Sequence, residues 1–503
     1  MQRKSNNLIL FLIFVLALTL RLSGINHGLP YVFHSDEPTT VLSALGIRFN
    51  PNPDHFDWPH LYFYVNYFLY ASLGYLRNFF NLVHLTSSLR NTLPVLWDDS
   101  VIFYLITRCL TALLGALTVA PLYFTGKRLF GKSAGLLAAF SFAVFPFQVW
   151  HAHYTMPDTA MLFLLACAVY YVSRILTEGD FSDYILAGFC FGLSASAKYN
   201  GGLGIFLIPL AHILSYRYSK LEAEPRRISQ TFVNSIFLLF SSGFFSLLAF
   251  VIGTPYAALD YKTFLRTDGP KGALWQFHNV GSINLLNNLP LLFDRVFNKM
   301  GEDVGYAVIG AVAVCLLLVL YHLIRKNLSK YDLAALLLLI PCTVLLIYVS
   351  GYEKARSHYY FIVYPYLALI FGYVAYYVFS LFRKKDAFVG YILITAFLAQ
   401  GIFQSTLTAV KFFNNDTRLA FSGWAKTHIN PGAYVVYDAE DLKIVVKDIA
   451  KNSKIESKLL PGEVPDYYVS GEEKNPGSAF SLIYNLDNKY RFGPYITVFK
   501  NNP

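Results

Sequence analysis

Apolar residues fall in long blocks separated by short polar or basic connections, at a spacing set by a membrane rather than by a soluble core. A hydrocarbon layer about 30 Å thick needs roughly 17 to 25 apolar residues per helix. Blocks of that kind lie near residues 7–25, 101–124, 133–150, 157–175, 183–198, 201–216, 231–253, 303–324, 332–350, 358–381 and 387–407. A twelfth run, "LYFYVNYFLYASLGYLRNFF" at 61–80, is rich in Tyr and Asn. Charge bias decides how it lies. If it stays at the interface as an aromatic amphipathic helix, "GKRLFGK" (126–132), Arg174, "YRYSKLEAEPRR" (216–227), "IRKNLSK" (324–330) and "RKK" (383–385) all fall on the side of the N-terminal "QRK", as the positive-inside rule asks. If it crosses, those clusters face out. The pattern therefore predicts an all-α polytopic bundle of about eleven transmembrane helices spanning residues 1–410, with the N-terminus inside. It also predicts two long external loops, 26–100 with its interfacial helix and 254–302. After about residue 411 the pattern changes to short β-branched and aromatic runs, "AYVVYD", "KIVVKD", "DYYVSG" and "YITVFK", following a helical "TRLAFSGWAKTHI". Residues 411–503 read as a small extracytoplasmic α/β domain.

Composition agrees: 55% of the 503 residues are hydrophobic, 17% aromatic and only 14% charged. The first run has a short basic start, but no small-residue cleavage site follows it, so it reads as a retained helix. Cys109, Cys167, Cys190, Cys315 and Cys342 sit inside apolar runs without metal-ligand spacing, and read as packing residues. The net charge of +10 is dispersed among the connections, which is membrane topology rather than a nucleic-acid surface.

With this topology the polar chemistry gathers on one face: "HSDE" (34–37), "DHFDWPH" (54–60), "WHAHYTMPD" (150–158), "AKYNGG" (197–202), the 254–302 loop and "GYEKARSHYY" (351–360). Carboxylates, histidines and cations bordered by hydrocarbon suit a substrate that is half lipid and half polar. Asp36 and Glu37 read equally as a solvated pair after a helix end, but His34 and the membrane boundary beside them favour a site. A general base at such a boundary is tuned by its surroundings, and Asp36 is the candidate. Asp158 opens a helix, where the macrodipole alone favours a carboxylate; His151 and His153 lie just before it and are candidate lining residues. Lys354 and Arg356 precede a span beginning at His358 and Tyr359. Interfacial snorkelling explains such residues, yet cations on the outer side break the charge bias, and an Arg fork suits phosphate oxygens. Lys198 is a second exception of this kind. Arg108, inside a span, is costly unless it faces the bundle and pairs with a carboxylate of the first loop. A divalent metal held by Glu37 and a histidine such as His278 is left open; the spacing by itself is weak support for one.

"GLPYVFHSDE", "TRCLTALLGALTVAPLYFTGKRLFGKSAG", "VWHAHYTMPDTAMLF", "SASAKYNGG" and "YEKARSHYYFIVYPYLAL", in this order across residues 5–405, resemble the membrane-embedded GT-C glycosyltransferases. The closest likeness is to the protein O-mannosyltransferase and aminoarabinose transferase-like branch (glycosyltransferase family 39-like) that uses polyprenyl-phosphate sugars. The tail opening "NDTRLAFSGWAKTHINPGAYV" is similar to tails of bacterial and archaeal members. The resemblance implies a GT-C fold, with Asp36 as general base beside Glu37 and Asp158 in the active-site network. It also implies a donor phosphate held by Lys354, Arg356, Tyr359 and Lys198, in the plasma membrane of a bacterium or archaeon. The partners implied are a polyprenyl-phosphate-linked sugar donor and a lipid, glycan or protein acceptor. No WWDYG signature is present, nor the long inserted luminal domain of eukaryotic protein mannosyltransferases. A flippase of lipid-linked sugars predicts charges at the midplane and interrupted helices, and a polysaccharide polymerase or ligase a large late loop; both stay as alternatives.

Overall fold

The computed structural model describes residues 2–222, 231–279, 284–383, 387–438, 440–443, 445–446, 454–457, 463–472 and 476–502. Parts of the basic turns at 216–227 and 383–385, and of the run at 443–448, lie outside them. Helices dominate: α1 (Gln2–Leu22), α2 (Glu37–Gly46), α3 (Leu61–Leu82), α4 (Asp99–Leu117), α5 (Val119–Phe130), α6 (Lys132–Ala143), α7 (Pro146–His151), α8 (Asp158–Thr177), α9 (Phe181–Ala197), α10 (Leu207–Glu222), α11 (Phe232–Gly253), α12 (Tyr306–Ile324), α13 (Lys330–Ser350), α14 (Tyr364–Arg383), α15 (Ala387–Phe413) and α16 (Thr417–His428). Among the described residues seven helical stretches are long and apolar enough to cross a membrane, and Asn7–Leu22, Lys132–Ala143 and Phe181–Ala197 are shorter apolar helices. The protein is a multi-pass membrane protein.

Departures from the predicted blocks have local causes. The block at 133–150 breaks after Ala143 because Pro146 has no N–H for the carbonyl of Phe142. The carbonyls of Phe142 and Ala143 at the break accept from Arg21 at 3.4 and 3.0 Å, and Arg21 Nε also donates to Gln148 Oε1 at 2.7 Å. Arg21 is fully buried, a charge in the first block whose role nothing in the hydrophobic pattern announced. The block near 303–324 begins at Tyr306, after Gly305 at φ +103°, a conformation that ends the preceding turn and that a side chain rarely adopts. The run at 61–80 forms α3, whose Tyr62, Phe63, Asn66, Tyr70 and Leu73 are buried along one stripe, as an amphipathic helix requires. Tyr62 and Tyr70 hydrogen-bond Thr111 and Thr107 of α4.

The chain divides into two compact units, Met1–Leu22 with Asp36–Ser405, and Ser23–Ser35 with Thr406–Pro503. The second contains α16, capped by Asp416, and five strands, β1 (Val435–Tyr437), β2 (Ile455–Glu456), β3 (Tyr467–Ser470), β4 (Phe480–Leu486) and β5 (Ile496–Asn501), in the order β2-β1-β3-β5-β4. Three of the four predicted strand runs are β1, β3 and β5. In the fourth, "KIVVKD", the described residues 443 and 445–446 are helical, with Val445 and Val446 buried in the unit's core.

Candidate functional site

The first unit holds a cavity of about 460 Å³ lined by Asp36, Thr39, Asp57, Trp58, Met156, Lys198, Tyr199, Asn200, Trp275, Gln276, Phe277, Asn279, Tyr352, Lys354, Arg356, His358 and Tyr359. These residues come from the connections after α1, before α8, after α9, after α11 and after α13. One carboxylate predicted as a base, Asp36, thus shares a cavity with all four predicted phosphate ligands, Lys198, Lys354, Arg356 and Tyr359.

Neighbours fix the position of Asp36. It is the N-cap residue of α2, and the next side chain, Glu37, is fully buried. Arg108 of α4 grips Glu37 with two donors, Nε to Oε1 at 2.8 Å and Nη2 to Oε2 at 2.7 Å. The backbone N–H of Thr155 donates to Oε1 at 3.1 Å, and the Thr155 hydroxyl donates to the Glu37 carbonyl at 3.2 Å. The partner expected for Arg108 in the first loop is therefore Glu37. Neither lines the cavity, unlike the expectation that Arg108 would, and each oxygen of Glu37 already answers a donor.

Asp158 is also fully buried and stands behind the wall. Lys198 Nζ donates to its Oδ1 at 2.5 Å, and His151 Nε2 lies 3.5 Å from Oδ2. The His151 ring stacks between Phe147 and His358, each 5.7 Å away. The chain reaches Lys198 by leaving α9 at extended dihedrals, φ −154° and ψ 131°. Asp158 thus holds Lys198 from a fully buried position, and His358, whose ring stacks on that of His151, lines the cavity. His153 is buried with Nδ1 against the carbonyl of Val149 at 2.8 Å, and His278 is exposed; neither lines the cavity. The structure does not bring Glu37 and His278 into a metal site, since Glu37 is sealed by Arg108. His34 falls in the second unit and is partly buried.

Residues that sequence reasoning passed over form the rest of the wall. Asp57 accepts from His55 Nδ1, and His55 Nε2 is 3.0 Å from Ser43 Oγ. Burial pushes the His60 imidazole down to about 4, so this histidine of "DHFDWPH" is neutral packing, its Nε2 2.9 Å from the His55 carbonyl. Trp58, Tyr199, Trp275 and Phe277 supply aromatic faces. Their only signal was aromatic residues among polar ones in loops.

The turn from Gly351 to Arg356 carries two of the three cations and is held from behind by the segment 285–304. Asn288 Nδ2 donates to the carbonyls of Gly351 and Tyr352 at 3.0 and 3.2 Å. Arg295 donates to the carbonyls of Ser350, Tyr352 (2.8 Å) and Glu353 (3.4 Å), and Lys299 to that of Ala355. Burial raises the Asp303 carboxyl to about 7, against the lowering effects of the Ser357 hydrogen bond and Lys299. A carboxyl raised in the folded state loses stability as pH climbs from its unfolded value near 4 through the folded one. Thermal unfolding in detergent is therefore expected to show wild-type melting falling between about pH 4 and about pH 7. Asp303→Asn, which resembles the protonated form, flattens the fall; an identical pH profile for the two proteins counts against the raised carboxyl.

The cavity thus sets two carboxylates, Asp36 and Asp57, beside three cations, Lys198, Lys354 and Arg356, an arrangement that can hold an anion with a proton acceptor near it. Residues 105–242 match the family described as dolichyl-phosphate-mannose-protein mannosyltransferase, and the likeness to polyprenyl-phosphate-sugar glycosyltransferases read from the motifs is borne out. A stretch of 199 residues, 37% of this chain, is 28% identical to dolichyl-phosphate-mannose–protein mannosyltransferase 1 of Saccharomyces cerevisiae. The match covers 21% of that protein's length. Among solved structures, ArnT from Cupriavidus metallidurans bound to undecaprenyl phosphate is similar at a TM-score of 0.49 with 11% identity, over 98% of this chain and 97% of that one. The Archaeoglobus fulgidus oligosaccharyltransferase tethered with an acceptor peptide has a TM-score of 0.49 with 14% identity, over 90% of this chain and 63% of that one.

Proposed function

We propose that the chain is an integral-membrane glycosyltransferase that moves a sugar from a polyprenyl-phosphate carrier to an acceptor hydroxyl on the external face, with inversion at the anomeric carbon. The observation that carries this reading is the shared cavity of Asp36 with Lys198, Lys354 and Arg356; the family match over residues 105–242 supports it. Asp36 takes the proton of the acceptor hydroxyl as its oxygen bonds to the anomeric carbon. The bond from that carbon to the phosphate oxygen breaks, and its electron pair leaves with the phosphate. The cations offset the charge that develops there, so the leaving group needs no acid. A single displacement with one base inverts the centre. On this reading residues 1–410 form the catalytic domain, crossing the membrane eleven times with α3 along the interface, and residues 411–503 lie outside.

Membranes containing the chain, given a radiolabelled polyprenyl-phosphate hexose with mannose as the first probe, are expected to pass label into a lipid, glycan or protein fraction. Labelled carrier that crosses the bilayer with its sugar still attached, and no transfer in any fraction, would sink the enzyme reading in favour of a flippase.

A further inference from the structure

The cationic turn sits in an electrostatically awkward place. It follows directly on the C-terminus of α13 at Ser350, where unsatisfied carbonyls carry the negative end of the helix dipole. A turn meant for phosphate there needs that negative charge answered. Asn288, Arg295, Lys299 and Asp303 are spaced 7, 4 and 4 residues apart, so they share one stripe of the segment 285–304, which includes the wider π turn Asp294–Lys299. The first three donate to the carbonyls of Ser350, Gly351, Tyr352, Glu353 and Ala355. Two of those donors are cations spent on backbone oxygens rather than on carboxylates. With the carbonyls drawn backward, Lys354 and Arg356 line the cavity on the other side.

We propose that Asn288, Arg295 and Lys299 form a carbonyl clamp that positions the turn bearing Lys354 and Arg356, and so sets affinity for the lipid-linked phosphate without touching it. This rests on the glycosyltransferase reading for its ligand. The three are positioning residues: they fix the backbone from which two phosphate-binding side chains extend, and they neutralise the end of α13 behind it. Arg295 matters most, since its fork reaches three carbonyls, those of Ser350, Tyr352 and Glu353, and a lysine cannot reproduce that geometry.

The test uses the full chain in detergent, with polyprenyl monophosphate as the binding probe and amide hydrogen exchange as a readout free of ligand. Losing one charge-assisted clamp contact is expected to weaken probe binding and raise the donor KM about tenfold in Arg295→Gln. The acceptor KM stays where it was, kcat falls less than about twofold, and exchange quickens across residues 351–357. Arg295→Lys, which keeps the charge, recovers part of the affinity and guards against a variant that merely folds poorly. Lys299→Met shifts the same parameters in the same direction. If wild type binds the probe and Arg295→Gln binds it equally, or the turn keeps its exchange protection, the clamp is wrong while the enzyme reading stands. If wild type itself binds no polyprenyl monophosphate, the enzyme reading fails and the donor role of the clamp with it.

Discussion

Asp36→Asn is expected to lower sugar transfer by about 10²- to 10⁴-fold, the range a positioned general base contributes, while leaving binding of polyprenyl monophosphate within about twofold of wild type. Asparagine keeps the volume of the side chain but cannot take a proton. The cations that answer the phosphate stand on other elements, Lys198 after α9 and Lys354 and Arg356 after α13, and are undisturbed. The backbone at Asp36 is held by its neighbour, since Glu37, the first residue of α2, is pinned by Arg108 and Thr155. The variant thus separates chemistry from donor binding. Transfer at the wild-type rate would move the base elsewhere in the cavity, with Asp57 the other lining carboxylate. Loss of transfer and probe binding together would make Asp36 a structural residue instead.

The long apolar helices and the loops that bring Lys198, Lys354 and Arg356 to one cavity were legible because each rests on local rules: the apolar length a bilayer demands and the rarity of cations beside such blocks. The partner of Arg108 was legible for the same reason, since a charge in a span has to be answered nearby. The division of labour between Asp36 and Glu37 was not. Successive residues at a helix start point about 100° apart, so only one of two adjacent carboxylates faces the cavity, and the linear sequence does not say which. The position of Asp158 at a helix start explained it as a macrodipole carboxylate, and its contact with Lys198 comes from 40 residues away in the chain. Arg21 was hidden in an apolar block near its end, where a snorkelling arginine looks the same; its use as a cap for the broken helix at Pro146 exists only once α1 and α6 are packed. The aromatic wall and the clamp have the same origin. They assemble from loops far apart in sequence, each loop ordinary when read alone.

Breaking the Glu37–Arg108 pair is expected to have the largest effect on stability of any single change in the first unit. Both side chains are essentially inaccessible, at 0% and 1% exposure, so Glu37→Leu leaves a buried guanidinium without its counter-charge and Arg108→Leu a buried carboxylate without its own. Removing one partner of a buried pair costs about 3 to 5 kcal/mol, whereas replacing both with apolar groups of similar size is often close to neutral. The double variant Glu37→Leu with Arg108→Leu should therefore melt above either single one in detergent, and a double-mutant cycle should give a coupling energy of about 2 kcal/mol or more. Additive losses would mean that the two charges are not coupled and that water reaches them. Transfer should not follow stability. In the double variant Thr155 loses the carboxylate oxygen that its N–H bonds, so α2 is tied at its first residue to the loop before α8 only by the Thr155 hydroxyl on the backbone carbonyl, and Asp36 is the residue next to that weakened tie. A double variant that folds as well as wild type yet transfers sugar at least about tenfold more slowly would show that the pair is there to aim the neighbouring carboxylate, a requirement for geometry that 1 Å of misplacement is enough to defeat. Full activity in that variant would reduce the pair to packing.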